Sequence, residues 1–306
     1  QDLLSTLLDC MTCRRVFLAF SMQAFMSQST LPRRSVEPIR DPHAYTALPI
    51  AAARAAITNS RGAGFKDPLA EKLLIGVGER QLMRGASANT EHMMKRAWMG
   101  DTLVQEGHRR GVRQVISLGA GLDSRAFRMG MYDTAFFEVD SDELFQSKEP
   151  LVADLPLQCQ FRQVVRGWLG KMDLIAELEQ AGFDKNKPAV WLMEGLVPYL
   201  NRDAMQKVAS EIGELSAPGS SLWHDCFSKT SVERGMSFYG VPYESGFDDY
   251  DDIWRLNGFD FAETLDAEGV WIDKSNHTVR FDERYRRTSR ELRGRPACLI
   301  VRASKS

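Results

Sequence analysis

The sequence is poor in the features that mark several protein classes. Five cysteines in 306 residues (Cys10, Cys13, Cys159, Cys226, Cys298) are too few and too scattered for a disulfide framework. Neither charge sign dominates: Lys+Arg 39 against Asp+Glu 41 gives a formal net charge of -2. No bulk positive field condenses on phosphate backbones, so a nucleic-acid partner is disfavoured. No apolar run reaches the ~20 residues that span a bilayer, and no Gly/Ser/Pro-rich linker or internal repeat follows Pro42. Ordinary hydrophobic (43%) and charged (26%) content exclude disorder, collagen and coiled coil. The chain reads as one cytoplasmic α/β domain over 45–306, with an N-terminal extension over 1–44.

Within that extension, Arg14-Arg15 followed by Val16 to Phe25 has the outline of a charged and then an apolar signal-peptide region. Leu3, Leu4, Leu7 and Leu8 precede the arginines and no clear cleavage site follows, so residues 1–25 read as an extension unconnected with the chemistry. Cys10-Met-Thr-Cys13 has metal or redox spacing, but no second ligand pair lies nearby, and no metal is expected anywhere in the chain.

The informative stretch starts at Val112. Val112 to Leu118 is a short apolar run of strand type, ended by Gly119-Ala120-Gly121 and followed by Leu122 to Phe127, which reads as a helix start. Thr134 to Val139 forms a second strand closed by Asp140. This is a nucleotide-binding βαβ pattern: glycines let backbone approach a ligand, and an acid at the second strand tip accepts hydrogen bonds from both ribose hydroxyls. Further strand runs at 160–165, 189–193, 221–226 and 297–301, with helical patterns at 171–181 and 202–215, predict a mostly parallel sheet covered by helices on both faces. The ligand then lies at the carboxyl strand ends, near Gly119, Asp140, Val165 to Trp168 and Glu194.

A dinucleotide loop carries a third glycine, whereas here Asp123 stands close to where a pyrophosphate would rest. A carboxylate there repels phosphate but tolerates S-adenosyl-L-methionine, which has none and carries a sulfonium and an ammonium. An NAD-dependent oxidoreductase on a similar sheet is the second reading, and a cofactor-binding scaffold without catalysis the third.

Ser117-Leu-Gly-Ala-Gly-Leu-Asp-Ser-Arg-Ala126, Phe136-Phe-Glu-Val-Asp140 and Glu194-Gly-Leu-Val-Pro-Tyr-Leu200 resemble the leucine carboxyl methyltransferase family, in particular its bacterial branch that includes polyketide O-methyltransferases. Ala51 to Ala55, Asp67-Pro-Leu-Ala70 and Arg96 with Asp101 support the resemblance, which covers roughly residues 45–303. It implies a class I methyltransferase, Rossmann-like, with an N-terminal helical cap over 45–110 and a core over 111–306. It also implies roles: Arg96 for the cofactor carboxylate, Gly119, Ala120 and Gly121 beneath the methionine part, Asp140 for the ribose, and Glu194 for the ammonium. The family's Asp-Leu after the third strand is replaced by Gln163-Val-Val-Arg-Gly-Trp168, which leaves backbone near Val165 to meet the adenine.

In-line methyl transfer needs alignment more than acid–base chemistry. His224, at the end of the fifth strand, is the one histidine the pattern places near the cleft as a base. With no other base in view, an acceptor already ionised at pH 7 suits the site, so the expected product is an O-methyl group, an ester sooner than an aryl ether. The segment 230–250, with Phe238, Tyr239 and Tyr243, reads as an aromatic substrate loop, and the acceptor as a small carboxylic acid or polyketide-like molecule.

Overall fold

The computed structural model describes residues 38–59, 65–79, 82, 90–273 and 278–306. The chain divides into Gln1–Ser35 and Val36–Ser306, and the second unit is described here. The leader and Cys10 with Cys13 lie outside the described residues.

Among the described residues four helices precede the sheet: α1 (Pro42–Tyr45), α2 (Ala47–Asn59), α3 (Pro68–Gly76) and α4 (Thr90–Arg109). Each Asp-Pro pair starts a helix. Asp41 accepts from Ala44 N–H at 2.9 Å, and Asp67 accepts from Leu69 and Ala70 N–H at 3.2 and 3.1 Å, while the proline occupies the position that needs no donor.

The core alternates β1 (Gln114–Leu118), β2 (Met131–Asp140), α5 (Asp142–Val152), β3 (Cys159–Arg166), α6 (Leu174–Gln180), β4 (Val190–Met193), α7 (Arg202–Leu215) and β5 (Ser221–Phe227). These strands lie parallel in the order β3-β2-β1-β4-β5. After β5 come α8 (Lys229–Glu233), the hairpin β6 (Ser237–Phe238) and β7 (Val241–Pro242), α9 (Tyr250–Leu256) and β8 (Phe261–Asp266). The chain continues through β9 (Val270–Asp273), β10 (Thr278–Phe281), β11 (Arg286–Arg287), α10 (Ser289–Leu292) and β12 (Cys298–Ser304). β12 inserts antiparallel between β5 and β8, and β11 edges the sheet beyond β8.

Both faces of the sheet are covered, so its central strands β1 and β4 are buried at every position rather than at every second one. Val115, Phe136, Leu192 and Trp223 face one core layer with Leu48, Trp98 and Val104 of the cap helices. Ile116, Phe137, Trp191 and Leu222 face the other, with Met205, Val208, Ile212 and Leu215 of α7 and Trp254 of α9. The α7 residues recur at helical spacing, and Asn201 caps that helix by accepting from Ala204 N–H at 2.9 Å.

Two local expectations are corrected. The segment after the glycine turn is no α-helix but a single 3-10 turn, Arg125–Phe127, with Ser124 before it making no side-chain cap bond. Its side chains are drawn into buried ion pairs instead, so no helix N-terminus faces the loop. The segment 230–250 is built from α8 and the β6–β7 hairpin, tied down where Glu244 and Ser245 N–H donate to Pro198 C=O at 2.8 and 3.1 Å.

Candidate active site

A cavity of about 1050 Å³ opens at the carboxyl ends of the parallel strands, bounded by β1 to β5, the cap helices and the 230–250 segment. That is the upper end of what a single small ligand occupies, leaving room for a cofactor and an acceptor together.

Its floor is the β1 turn. Gly119 and Gly121 adopt φ +63° and +50°, and a Cβ on either would come within 3.1 Å of Leu196 or Ala47 side-chain carbons. Glycine is required there for both dihedral and space. Asp140, at the tip of β2, lines the cavity beside them. One of its carboxylate oxygens accepts from Gly121 N–H at 2.7 Å and the other from Ser141 N–H at 2.6 Å, which aims the group across the turn. Burial pushes its carboxyl up, opposed by those two N–H groups.

Behind the turn lies a network of buried charge. Arg125 donates to Asp101 (2.8 Å), Asp123 (2.6 Å) and Glu194. Arg128 forms a fork on Asp101 at 2.7 Å through each of two nitrogens. Arg54 Nε sits 3.2 Å from Asp67, and Arg54 donates to Leu122 C=O. Arg96 donates to Asp225 Oδ2 at 3.2 Å, and Gly195 N–H donates to Asp225 Oδ1 at 2.6 Å. Against a burial that would raise it, Arg125 and then Arg54 hold the Asp123 carboxyl well below the usual range. Burial lifts the Glu194 carboxyl in spite of Arg125. Asp123 is therefore no open repellent of phosphate: one oxygen accepts from Arg125 N–H at 2.8 Å and the other faces the Arg125 guanidinium.

Beyond Glu194 the wall turns aromatic. Tyr243 stacks on Phe227 with centroids 4.8 Å apart and planes at 18°, and Tyr199 meets Tyr243 edge-on at 5.5 Å. Burial pushes the Tyr199 phenol up to about 12 and the Tyr243 phenol higher, so both stay protonated hydrogen-bond donors. His43 of α1 closes the other side, edge-on to Tyr199 at 5.7 Å and to Trp168 at 6.0 Å.

Of the residues singled out from sequence, Arg96, Gly119, Ala120, Gly121, Asp140, Glu194, Phe238 and Tyr243 line this one cavity. Three do not. Val165 is buried in the core layer under β3, and Gly167 and Trp168 take the wall position beyond it. Tyr239 points outward, 53% exposed, at the hairpin turn with φ +49°. His224 is fully buried away from the cleft: Trp254 Nε1 donates to its Nε2 at 3.0 Å, and the ring packs on Tyr250 and Trp254. Alternation along β5 is the reason. Leu222, His224 and Cys226 face α9, while Trp223 and Asp225 face the cap. Period-two reading of β5 could have shown that only one of His224 and Asp225 reaches the cavity. Arg54, Arg125 and Asp225 are cavity residues that spacing alone did not mark, although Arg125 closes the Gly-Ala-Gly-Leu-Asp-Ser-Arg block.

The fit to S-adenosyl-L-methionine can be tested on charge. Asp67, Asp101, Asp123, Glu194 and Asp225 outnumber Arg54, Arg96, Arg125 and Arg128 by one, so a ligand of net positive charge relieves the cluster. The glycine floor and the strand-tip carboxylate suit its backbone-hugging chain and its ribose. Sheet order, glycine turn and strand-tip acids together define a class I S-adenosyl-L-methionine-dependent methyltransferase. Residues 47–213 match the leucine carboxyl methyltransferase family, and the chain belongs to it.

A Mycolicibacterium smegmatis protein named for S-adenosyl-L-methionine-dependent methyl transfer is 32% identical over 241 residues, 72% of this chain and 76% of that protein. A similarly named Mycobacterium marinum protein is 32% identical over 237 residues, covering 70% and 71%. A solved structure from Thermobifida fusca, described as a methyltransferase, covers 84% of this chain and 94% of its own at 15% identity and TM-score 0.47. Among the described residues no helix is long and apolar enough to cross a membrane, and no group of three His, Cys, Asp or Glu is placed to hold a metal ion.

Proposed function

We propose that this methyltransferase acts on oxygen, transferring methyl to a carboxylate or hydroxyl of a small apolar acceptor. The observation behind this reading is that one cavity joins a charged inner end to an aromatic outer chamber of Tyr199, Phe227, Phe238 and Tyr243. In this proposal Asp140 accepts from the ribose hydroxyls, Gly119 to Gly121 carry the methionine chain, Glu194 meets the ammonium and Arg96 the carboxylate. Bound S-adenosyl-L-methionine supplies an electrophilic methyl group on a sulfonium. The chain's own part is then to hold the acceptor oxygen in line and to exclude water, and alignment of this kind is worth roughly 7–11 kcal/mol. The aromatic faces fit a flat apolar acceptor, a polyketide-like ring system among them.

Calorimetry with S-adenosylhomocysteine and NAD side by side tests the cofactor half: about -8 kcal/mol is expected for the former at micromolar affinity, and none for NAD. Transfer of label from the cofactor to an oxygen of the acceptor tests the other half. Label found only on nitrogen or carbon, or no transfer at all, would overturn the reading.

A further inference from the structure

The buried charges constrain which oxygen is methylated. The expectation of an ester rested on a cleft whose one candidate base was His224, and that histidine lies on the other face of β5. Asp225 takes its place on the cavity wall, with its carboxylate between Arg96 and the Gly195 turn and next to the chamber of Tyr199 and Tyr243.

We infer that Asp225 selects a neutral hydroxyl acceptor over a carboxylate and accepts its proton, a refinement that rests on the O-methyltransferase reading above. Its two oxygens hold one N–H each, which leaves lone pairs for a further donor. The five carboxylates of the network exceed its four guanidiniums by one. The cofactor's single net positive charge cancels that excess, and an anionic acceptor would restore it beside buried carboxylates. A hydroxyl adds none. In the transfer the acceptor O–H bond breaks, a new O–CH3 bond forms, the sulfur–methyl electron pair stays on the thioether sulfur, and the proton passes to Asp225 and later to water. The positive charge lost from sulfur is thereby matched by the negative charge lost from Asp225, so the buried set keeps a constant charge throughout.

The test uses two planar probes of matched shape, 2-naphthol and 2-naphthoate, titrated into the full chain loaded with S-adenosylhomocysteine at pH 7. Wild type should bind the naphthol at least about tenfold more tightly, like-charge juxtaposition being the cost on the naphthoate. Asp225→Asn, which keeps a carbonyl for Gly195 N–H, should shrink that ratio by about tenfold. Equal or tighter naphthoate binding by wild type overturns the inference without recourse to the variant, and so does failure of both probes to bind the loaded protein. If S-adenosylhomocysteine itself does not bind, the failure belongs to the cofactor reading instead. A methyl product released by mild alkali from a natural acceptor would likewise overturn the choice of hydroxyl.

Discussion

Enclosed by Tyr250 and Trp254, His224 makes the fold sensitive to acid. Burial lowers its pKa to about 4 from an ordinary 6.5, so the folded state holds it neutral over a range where the unfolded chain binds a proton. Its contribution is full above pH 6.5 and declines as pH falls toward 4, by roughly 3 kcal/mol in all. Thermal denaturation of His224→Gln, whose amide oxygen can still accept from Trp254, should show a flatter dependence between pH 7 and 4.5 than wild type. Parallel curves would mean that another group governs that range. On the cavity side, Asp140→Ala removes a charge-assisted acceptor, and S-adenosylhomocysteine affinity should fall by roughly 1.5–3 kcal/mol in calorimetry. Gly195→Ala should be costlier than its size suggests. The residue sits at φ +68°, and the new Cβ would lie 2.7 Å from Arg96 Nη2, so both the turn and the Arg96–Asp225 pair must shift. Its expected signature is a lowered Tm together with weakened cofactor binding.

At the level of elements, the parallel strands and α7 were readable because fully buried strands and an amphipathic helix impose runs and periods on the residues themselves. What was not readable are features set by contacts across the chain. Arg96 and Asp225 stand 129 positions apart, and Arg125 and Glu194 stand 69 apart, so no local spacing announces either pair. The turn after Gly121 has a helical composition, but Arg125 is held by Asp101 and Glu194 and the segment stops at one 3-10 turn. The Ile39 to Tyr45 stretch shows the same dependence: its role as a cover over the cavity depends on Glu143 of α5, whose Oε1 accepts from Arg40 N–H and from Asp41 N–H at 3.0 Å. Losing these two bonds should cost about 1–3 kcal/mol. Glu143→Ala should accordingly speed S-adenosylhomocysteine release in stopped flow several-fold, with little change in the association rate. An unaltered off-rate would show that the cover is held elsewhere.

For the whole molecule, the excess of buried carboxylates means that the empty fold carries an electrostatic cost which a cationic ligand relieves, so ligand binding and stability should be coupled through charge as well as contact. A ligand at 100 times its Kd stabilises by about 2.7 kcal/mol whatever its chemistry. In a domain this large, each kcal/mol raises Tm by about 2–4 °C, so a shift of about 5–11 °C is expected for S-adenosylhomocysteine at that ratio. 5′-Methylthioadenosine at the same concentration keeps the contacts to Asp140 but lacks the ammonium that would face Glu194 and the carboxylate that would face Arg96. Its shift should be less than half as large, and S-adenosyl-L-methionine, which adds the sulfonium charge, should exceed both when each is compared at equal concentration. Raising salt to 1 M should leave that order intact, because charges buried behind Gly119 to Gly121 are screened far less than surface pairs. Equal shifts for the three ligands would place the cofactor's binding energy in its adenosine half and remove the Arg96 and Glu194 end of the cavity from recognition.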